Sequence, residues 1–449
     1  MMILFKKTLT CLTIFLALNS CSYIKDLDFL DLGVVDDIQI IEGTRVDISA
    51  SQKEVQVNIE ASKLPITLEN PLKNSEWNKK GKNNYNAPEN MFIKENIELL
   101  WKKDVGDGEG TYNKIYTQPV GNENFLFVLD ADGKLVSLNI INGDIIWEKY
   151  IFPSEESINT NIDGGLVLSG NNLVASSSYG EIIKLNIKDG NIEWKKNINA
   201  PVQGAPSIFN NFIYQMTVTN ELFVIDINTG EEIWRYDASI VSAISNGAAS
   251  PVVDSNFVIF PSNTGELISL DTTTGSLMWS TSLVIEGSIS GSLELTDIDS
   301  GPVMHKGLIY SSSLSGKFSV IDSISGGLIW EVPIKTSNNP IINGDAVFIL
   351  SNDGRLINLF NNDGNIRWIS DFSQEIKVNA KNAPLCSGPL LAQDNIWLVC
   401  QDGKVFKVNS NNGKYYNVFT LDSPSYISPI VINGTMIFYT EDAEIIAYR

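Results

Sequence analysis

Few side chains in this 449-residue sequence are suited to chemistry. Its one histidine, His305, sits in Val303-Met304-His305-Lys306-Gly307, which reads as a solvent-facing polar turn between two strands without a role. A single imidazole cannot build a His-rich zinc site and leaves little room for histidine acid–base catalysis. Cys386 and Cys400 flank a hairpin whose turn is expected near Gln393-Asp394-Asn395. Opposed positions on antiparallel strands bring Cβ atoms close, so a disulfide is one reading in an oxidising compartment. Two buried thiols acting as small hydrophobes is the other. Asp297-Ile298-Asp299 offers two carboxylates to a divalent cation, a weak ligand set, and such loop acids also cap turns through side-chain-to-backbone bonds.

Charge narrows the field. Lys+Arg total 32 against 53 Asp+Glu, a formal charge of -21, which repels phosphate backbones and argues against nucleic-acid binding. With 43% hydrophobic residues and mean hydropathy near zero, the chain is neither disordered nor polytopic.

The first twenty residues read as an address. Lys6-Lys7 precede an apolar run from Leu9 to Leu18, too short for a bilayer span and fitting a signal h-region. Leu18-Asn19-Ser20-Cys21 resembles a bacterial lipobox, which implies that Cys21 becomes an acylated N-terminus. Each buried CH₂ contributes roughly 0.8 kcal/mol, so several chains hold a protein firmly on a membrane. Ser22 stands where inner-membrane retention would place Asp, so the sorting rule implies the periplasmic face of the outer membrane. An ordinary secretory signal with a stray cysteine is the alternative. Residues 21–72 lack regularity and read as a tether that could contain a strand at Val55-Gln56-Val57-Asn58-Ile59.

The rest is one repeat. A turn glycine recurs at Gly133, Gly180, Gly265, Gly316, Gly354 and Gly403, with Asn220 and Ala443 in the same place in other copies. Ten residues on comes a second glycine, Gly143, Gly190, Gly230, Gly275, Gly326, Gly364 and Gly413. Four further on comes Trp147, Trp194, Trp234, Trp279, Trp330 and Trp368, with Asn417 in the seventh copy. Seven copies also begin with proline, from Pro119 to Pro429; the second has Leu166 there. Each copy holds four short β-rich runs between Asn/Asp/Gly turns, the pattern of a propeller blade. The tryptophan is expected to pack between adjacent blades, where the wedge widens outward. The eighth copy runs out at Arg449 before its fourth strand, and Ile97-Glu98-Leu99-Leu100-Trp101 supplies it. The fold expected over 73–449 is therefore an all-β, eight-bladed propeller of four-stranded antiparallel blades, closed by an N-terminal strand in the C-terminal blade. A solenoid would not need this terminal split. Trp397 is expected to be core and to compensate for the missing tryptophan at 417.

Ser269-Leu270-Asp271-Thr272-Thr273-Thr274-Gly275-Ser276-Leu277-Met278-Trp279 resembles the tryptophan-docking repeat of quinoprotein propellers. That resemblance is specific for fold and weak for function. Spacing varies only between a tryptophan and the next proline, with the longest connections at 235–250, 280–301 and 369–388. These loops share one face, the expected working surface.

Three function classes fit such a torus. A quinone-dependent dehydrogenase needs a metal, a catalytic carboxylate and a pocket; the sequence has no adjacent cysteine pair and no haem motif, so neither enzyme nor cofactor is expected. A periplasmic glycan- or peptide-binding propeller would use exposed aromatics such as Tyr112, Tyr116 and Tyr179. The third class rests on resemblance. A lipobox on a quinoprotein-like propeller without cofactor chemistry is similar to the BamB family, lipoprotein scaffolds of the outer-membrane β-barrel assembly (Bam) machinery. Leu295-Thr296-Asp297-Ile298-Asp299-Ser300-Gly301-Pro302 and Ser245-Asn246-Gly247-Ala248-Ala249-Ser250-Pro251 match that family's neighbouring loops, and Ile41–Arg45 and Asn70–Trp77 its lead-in. The resemblance implies that Asp297, Asp299, Ala243, Ser245 and Asn246 contact a POTRA domain of the barrel subunit BamA. It implies other Bam subunits as partners, and unfolded outer-membrane proteins as clients. Relatives carry Leu-x-Leu-Arg in the first loop, and here Asn246 replaces the arginine.

Overall fold

The computed structural model describes residues 55–110, 114–152, 164–202, 204–238, 249–284, 300–313, 316–376 and 385–449. They form eight antiparallel sheets arranged as blades. Blades 1 to 7 occupy 120–150, 164–197, 207–237, 252–282, 303–332, 341–371 and 386–420. Blade 8 takes three strands from 430–448, and its outer strand is Leu99–Asp104, paired with Glu444–Tyr448 from the far end of the chain. In blades 1 to 7 the four strands follow chain order from the inner strand outward, and blade 8 keeps the same directions, so the torus has two distinct faces. The turns joining first to second and third to fourth strands lie on one face. The remaining turns and the connections between blades lie on the other, called here the loop face.

The third strand of each blade is buried at its centre, as in Leu267, Ile268 and Leu270, and adjacent blades share apolar clusters. In every outer strand that carries the repeat tryptophan, the register slips by one residue just before the ring. Such a bulge re-aims the side chain that follows it. The ring is thereby turned onto the next blade. Indole N–H groups reach carbonyls there, as from Trp147 to Ile187 (2.9 Å), Trp279 to Ser323 (3.0 Å) and Trp368 to Ser410 (3.0 Å). The second repeat glycine lies under each ring. At Gly275 φ is +70° and an added Cβ would stand 2.8 Å from Trp234 Cε3, so both backbone and ring demand glycine.

The seam between blades 7 and 8 differs. Blade 8 has no third-to-fourth turn, because those strands come from opposite ends of the chain, so no glycine waits to receive a ring. Asn417 replaces the tryptophan. Phe419 instead stacks on Tyr448 at 4.2 Å, with Phe438 edge-on to both, and Lys102 pairs with Asp422. Trp397 is 1% exposed and belongs to the apolar cluster that joins blades 7, 8 and 1. In the first hairpin of blade 7, Cys386 and Cys400 are register partners joined by a disulfide, and Gln393 and Asp394 make the turn at positive φ.

The lead-in departs from the sequence reading. Val55–Ile59 forms no strand, and the described part of the stretch read as a tether is packed on blade 6. Asn58 N–H donates to the Ile366 carbonyl (2.8 Å), Ala61–Lys63 makes one 3₁₀ turn, and Glu69 N–H donates to Asn343 Oδ1 (2.8 Å). Asn58 Oδ1 is spent on local bonds, accepting from the backbone N–H groups of Glu60 and Ala61, which turns the chain instead of extending it.

Candidate functional site

Two regions of the torus could carry function: its axis and its loop face. The axis is occupied by the chain itself. Beyond Glu69 on blade 6, residues 74–91 bond to the inner strand of each remaining blade. Asn433 N–H donates to Asn74 O (2.8 Å, blade 8), and Glu76–Trp77 pairs with Gly121–Asn122 (blade 1). Leu168 N–H donates to Asn78 O (2.7 Å, blade 2), and Asn84 Nδ2 to Ile208 O (2.7 Å, blade 3). Val253 N–H donates to Asn84 O (3.0 Å, blade 4) and Met304 N–H to Tyr85 O (2.9 Å, blade 5). Met91 N–H donates to Leu391 O (2.9 Å, blade 7). All these contacts fall at the ends of the inner strands that point away from the loop face, hereafter the lead-in face.

Side chains from this segment fill the space between the inner strands. Trp77, Lys79, Asn86 and Met91 are at most 2% exposed. Trp77 Nε1 donates to Gln118 Oε1 (3.1 Å), and Asn86 Nδ2 to the carbonyls of Ser250 (2.9 Å) and Pro302 (2.8 Å). Lys79 Nζ donates to Ser207 Oγ and to the Pro251 carbonyl (3.0 Å), and no carboxylate pairs with it among the described residues. Burial therefore holds its amine well below the usual lysine range, with Lys80 adding repulsion. Sequence reading missed this segment. The available signal was the density of Asn and Lys in 73–90, amide donors and acceptors that can satisfy strand ends.

His305 is likewise not the solvent-facing turn residue expected. It ends the inner strand of blade 5 and is half-buried beneath the lead-in. Burial, then Lys306, hold its imidazole below the usual value against the opposing pull of Glu69.

The loop face holds the connections singled out by length. The outer strand of blade 3 ends at Asp237 and blade 4 begins at Val252; blade 4 ends at Ser282 and blade 5 begins at Val303. Loops 235–250 and 280–301 thus leave from neighbouring corners. Ala243, Ser245, Asn246, Asp297 and Asp299 lie outside the described residues, as do Cys21 and Tyr112. The roots of both loops are fixed. Ser250 and Ser300 are buried, Ser300 Oγ bonds with the Ser312 backbone, and Leu283 N–H donates to Gly265 O (2.8 Å). Between the loops the turns of blades 3 and 4 are joined, Asn263 N–H donating to Asn220 Oδ1 (2.8 Å) and Asn263 Nδ2 to Val218 O (2.7 Å). Glu221 and Glu266 flank this joint, their carboxylates accepting from Thr219 (2.6 Å) and Thr264 (2.9 Å), with no cation paired to either among the described residues. The platform is rigid and acidic. Among the described residues no group of three or more His, Cys, Asp or Glu is arranged to hold a metal ion. Tyr116 is 39% exposed, whereas Tyr179 packs against the blade 1–2 cluster.

A family model described as outer membrane protein assembly factor BamB matches residues 152–370. Outer membrane protein assembly factor BamB of Yersinia pestis is 21% identical over 78% of this chain and 88% of its own length. That of Vibrio cholerae is 22% identical over 78% and 87%. The chain is similar to these BamB proteins over most of its length. The crystal structure of BamB from Moraxella catarrhalis shares the fold, with TM-score 0.66 and 18% identity over 79% of this chain and all of that one. The fold is not exclusive to BamB: quinohemoprotein alcohol dehydrogenase from Comamonas testosteroni also superposes with TM-score 0.66, at 12% identity over 84% of this chain and 81% of that one. In this chain the axis is packed with its own lysine, asparagine, tryptophan and methionine.

Proposed function

We propose that this protein is a non-catalytic scaffold in outer-membrane protein assembly, working at the periplasmic side of the outer membrane. The observation that carries the reading is the similarity to BamB assembly factors, which spans most of this chain and most of theirs. The filled axis supports it, because a propeller packed at its centre works through surfaces. At finer grain, loops 235–250 and 280–301 dock a POTRA domain of the barrel subunit, with Asp297 and Asp299 as principal contacts and Ala243, Ser245 and Asn246 beside them. The joined turns of blades 3 and 4, with Glu221 and Glu266 between the loop roots, support a docking face for a basic patch. Complementary charge speeds encounter and fixes orientation more than it adds affinity. Cys21, acylated, would hold the scaffold to the membrane where the barrel subunit resides.

Crosslinking pull-down from the native envelope, read by mass spectrometry, tests this. A POTRA-containing barrel protein should be recovered with crosslinks to 235–250 or 280–301. Asp297→Arg with Asp299→Arg should weaken that capture about tenfold or more, as expected for two reversed charges at one contact, while the thermal midpoint stays in place. Capture undiminished in the double variant removes those residues from the site; no barrel protein recovered from the wild type refutes the assembly role.

A further inference from the structure

Outside blade 6, the bulge that turns each tryptophan inward leaves the two residues before it facing solvent. In blades 4 and 5 these are Leu277 (54% exposed), Met278 (45%), Leu328 (51%) and Ile329 (52%), with Ile324 (74%) at the turn that precedes the second pair. The two turns carry no charged side chain: 272–276 reads Thr-Thr-Thr-Gly-Ser and 323–327 reads Ser-Ile-Ser-Gly-Gly. Asp271 and Asp322 before them are folded back, accepting from Thr274 Oγ1 (2.9 Å) and Ser325 Oγ (2.7 Å). In blades 2 and 3 the same positions bear Glu193 and Glu232. Ile145 and Ile146 of blade 1 and Leu99 and Leu100 of blade 8 are exposed too, but the blade 1 turn carries Asp144 and blade 8 has no turn before its pair. Blades 4 and 5 therefore present exposed apolar heads beside uncharged turns, on either side of the seam where Trp279 meets Gly326 on the rim of the lead-in face, and exposed apolar surface of this kind marks interaction sites.

Blade 6 shows what such a surface accepts. There the equivalent pair, Ile366 and Arg367, is 7% and 2% exposed, because residues 55–68 of the chain itself lie over it. That segment spends one backbone N–H, from Asn58, on the strand-head carbonyl of Ile366. It sets Val55 into the seam between blades 5 and 6, and Ile66 and Leu68 into the seam between blades 6 and 7. Val55 shares its cluster with Trp330 and Val332 of blade 5's outer strand, so the open surface continues directly from this seat.

We propose that the outer-strand heads of blades 4 and 5 form a docking site for an extended, aliphatic-bearing segment of an unfolded polypeptide. The segment is held as the chain holds its own residues 55–68 on blade 6. The inference rests on the reading as an assembly factor and deepens it by naming where on the molecule a client binds. Two seams flanked by aliphatic heads receive alternate side chains, while strand-edge carbonyls accept backbone N–H groups. Uncharged turns select for apolar content and not for a charge pattern. The surface lies on the face opposite loops 235–250 and 280–301, so client and barrel subunit can be held together.

The test uses the full chain with a photo-crosslinkable side chain at Met278 or Ile329, and at Glu193 as control. The probe is a urea-unfolded outer-membrane porin diluted into buffer. Crosslinks to the porin should form at 278 and 329 and scarcely at 193. Leu277→Lys with Leu328→Lys should cut their yield about tenfold, the scale set by losing two apolar contacts, without moving the thermal midpoint. Equal crosslinking at 193, or none at 278 and 329, overturns the proposal. Crosslinks that join two copies of the chain overturn it in favour of self-association. Flotation with phosphatidylethanolamine vesicles that the lysine variant abolishes overturns it in favour of a lipid surface. Capture of the barrel subunit by the same variant reports separately on the loop-face reading.

Discussion

Lys79 is the residue whose environment departs most from its type. Its amine is buried at the axis with hydroxyl and carbonyl partners and no anion among the described residues. The lowered folded-state value means that the unfolded chain binds a proton which the folded chain refuses, over the interval between that value and the ordinary 10.5. Stability therefore rises as pH climbs through that interval, and the full cost of burial is felt below it. Lys79→Met should flatten this component: denaturation midpoints of wild type and variant, followed from neutral toward alkaline pH, should converge as pH approaches the usual lysine value. Parallel profiles would mean that the amine stays charged in the fold. None of this could be read from the sequence, where a lysine in an Asn-Lys-rich stretch reads as solvated. His305 misled for a related reason: Lys306-Gly307 does make the turn, but the lead-in that covers His305 lies far away in sequence.

At the scale of the element, the unit is a bulged outer strand with a tryptophan seated on the next blade's glycine. The pairing of glycine and tryptophan was legible because both recur at fixed spacing, and a wedge between blades is where a large ring fits. The bulge was not legible, since an extra residue in one strand leaves no mark in the repeat period. Gly275→Ala tests the seat against an internal control. Gly307 also has φ +80°, but an added Cβ there meets nothing within 4 Å. Gly307→Ala should cost about 1–2 kcal/mol for the left-handed backbone alone. Gly275→Ala should add about 1–3 kcal/mol of overpacking against Trp234, read from denaturant midpoints. Equal costs would show that the ring yields freely.

For the whole molecule, blade count and closure followed from where the repeat began and ran out, because closure of a ring removes its sheet edges. The lead-in escaped because it belongs to no repeat, so 55–72 read as tether although it is packed against blade 6. It touches the inner strand of every blade, and Trp77, Met91 and Ile93 on it are at most 2% exposed. Burying each such side chain contributes about 1.5–3 kcal/mol. Removal of residues 22–94 should therefore destabilise the torus by several kcal/mol on this scale, and calorimetry should find a lower midpoint. A midpoint unchanged by the truncation would reduce the lead-in to a passenger. The pairing of Leu99–Asp104 with Glu444–Tyr448 also sets an order in time. A chain delivered from its N-terminus exposes the first of these strands early and must wait for its last residues before the two can meet. Closing so long a loop makes the final step slow. Until then the early strand is an open edge, so a nascent copy of this protein is, for an interval, itself a chain in need of protection.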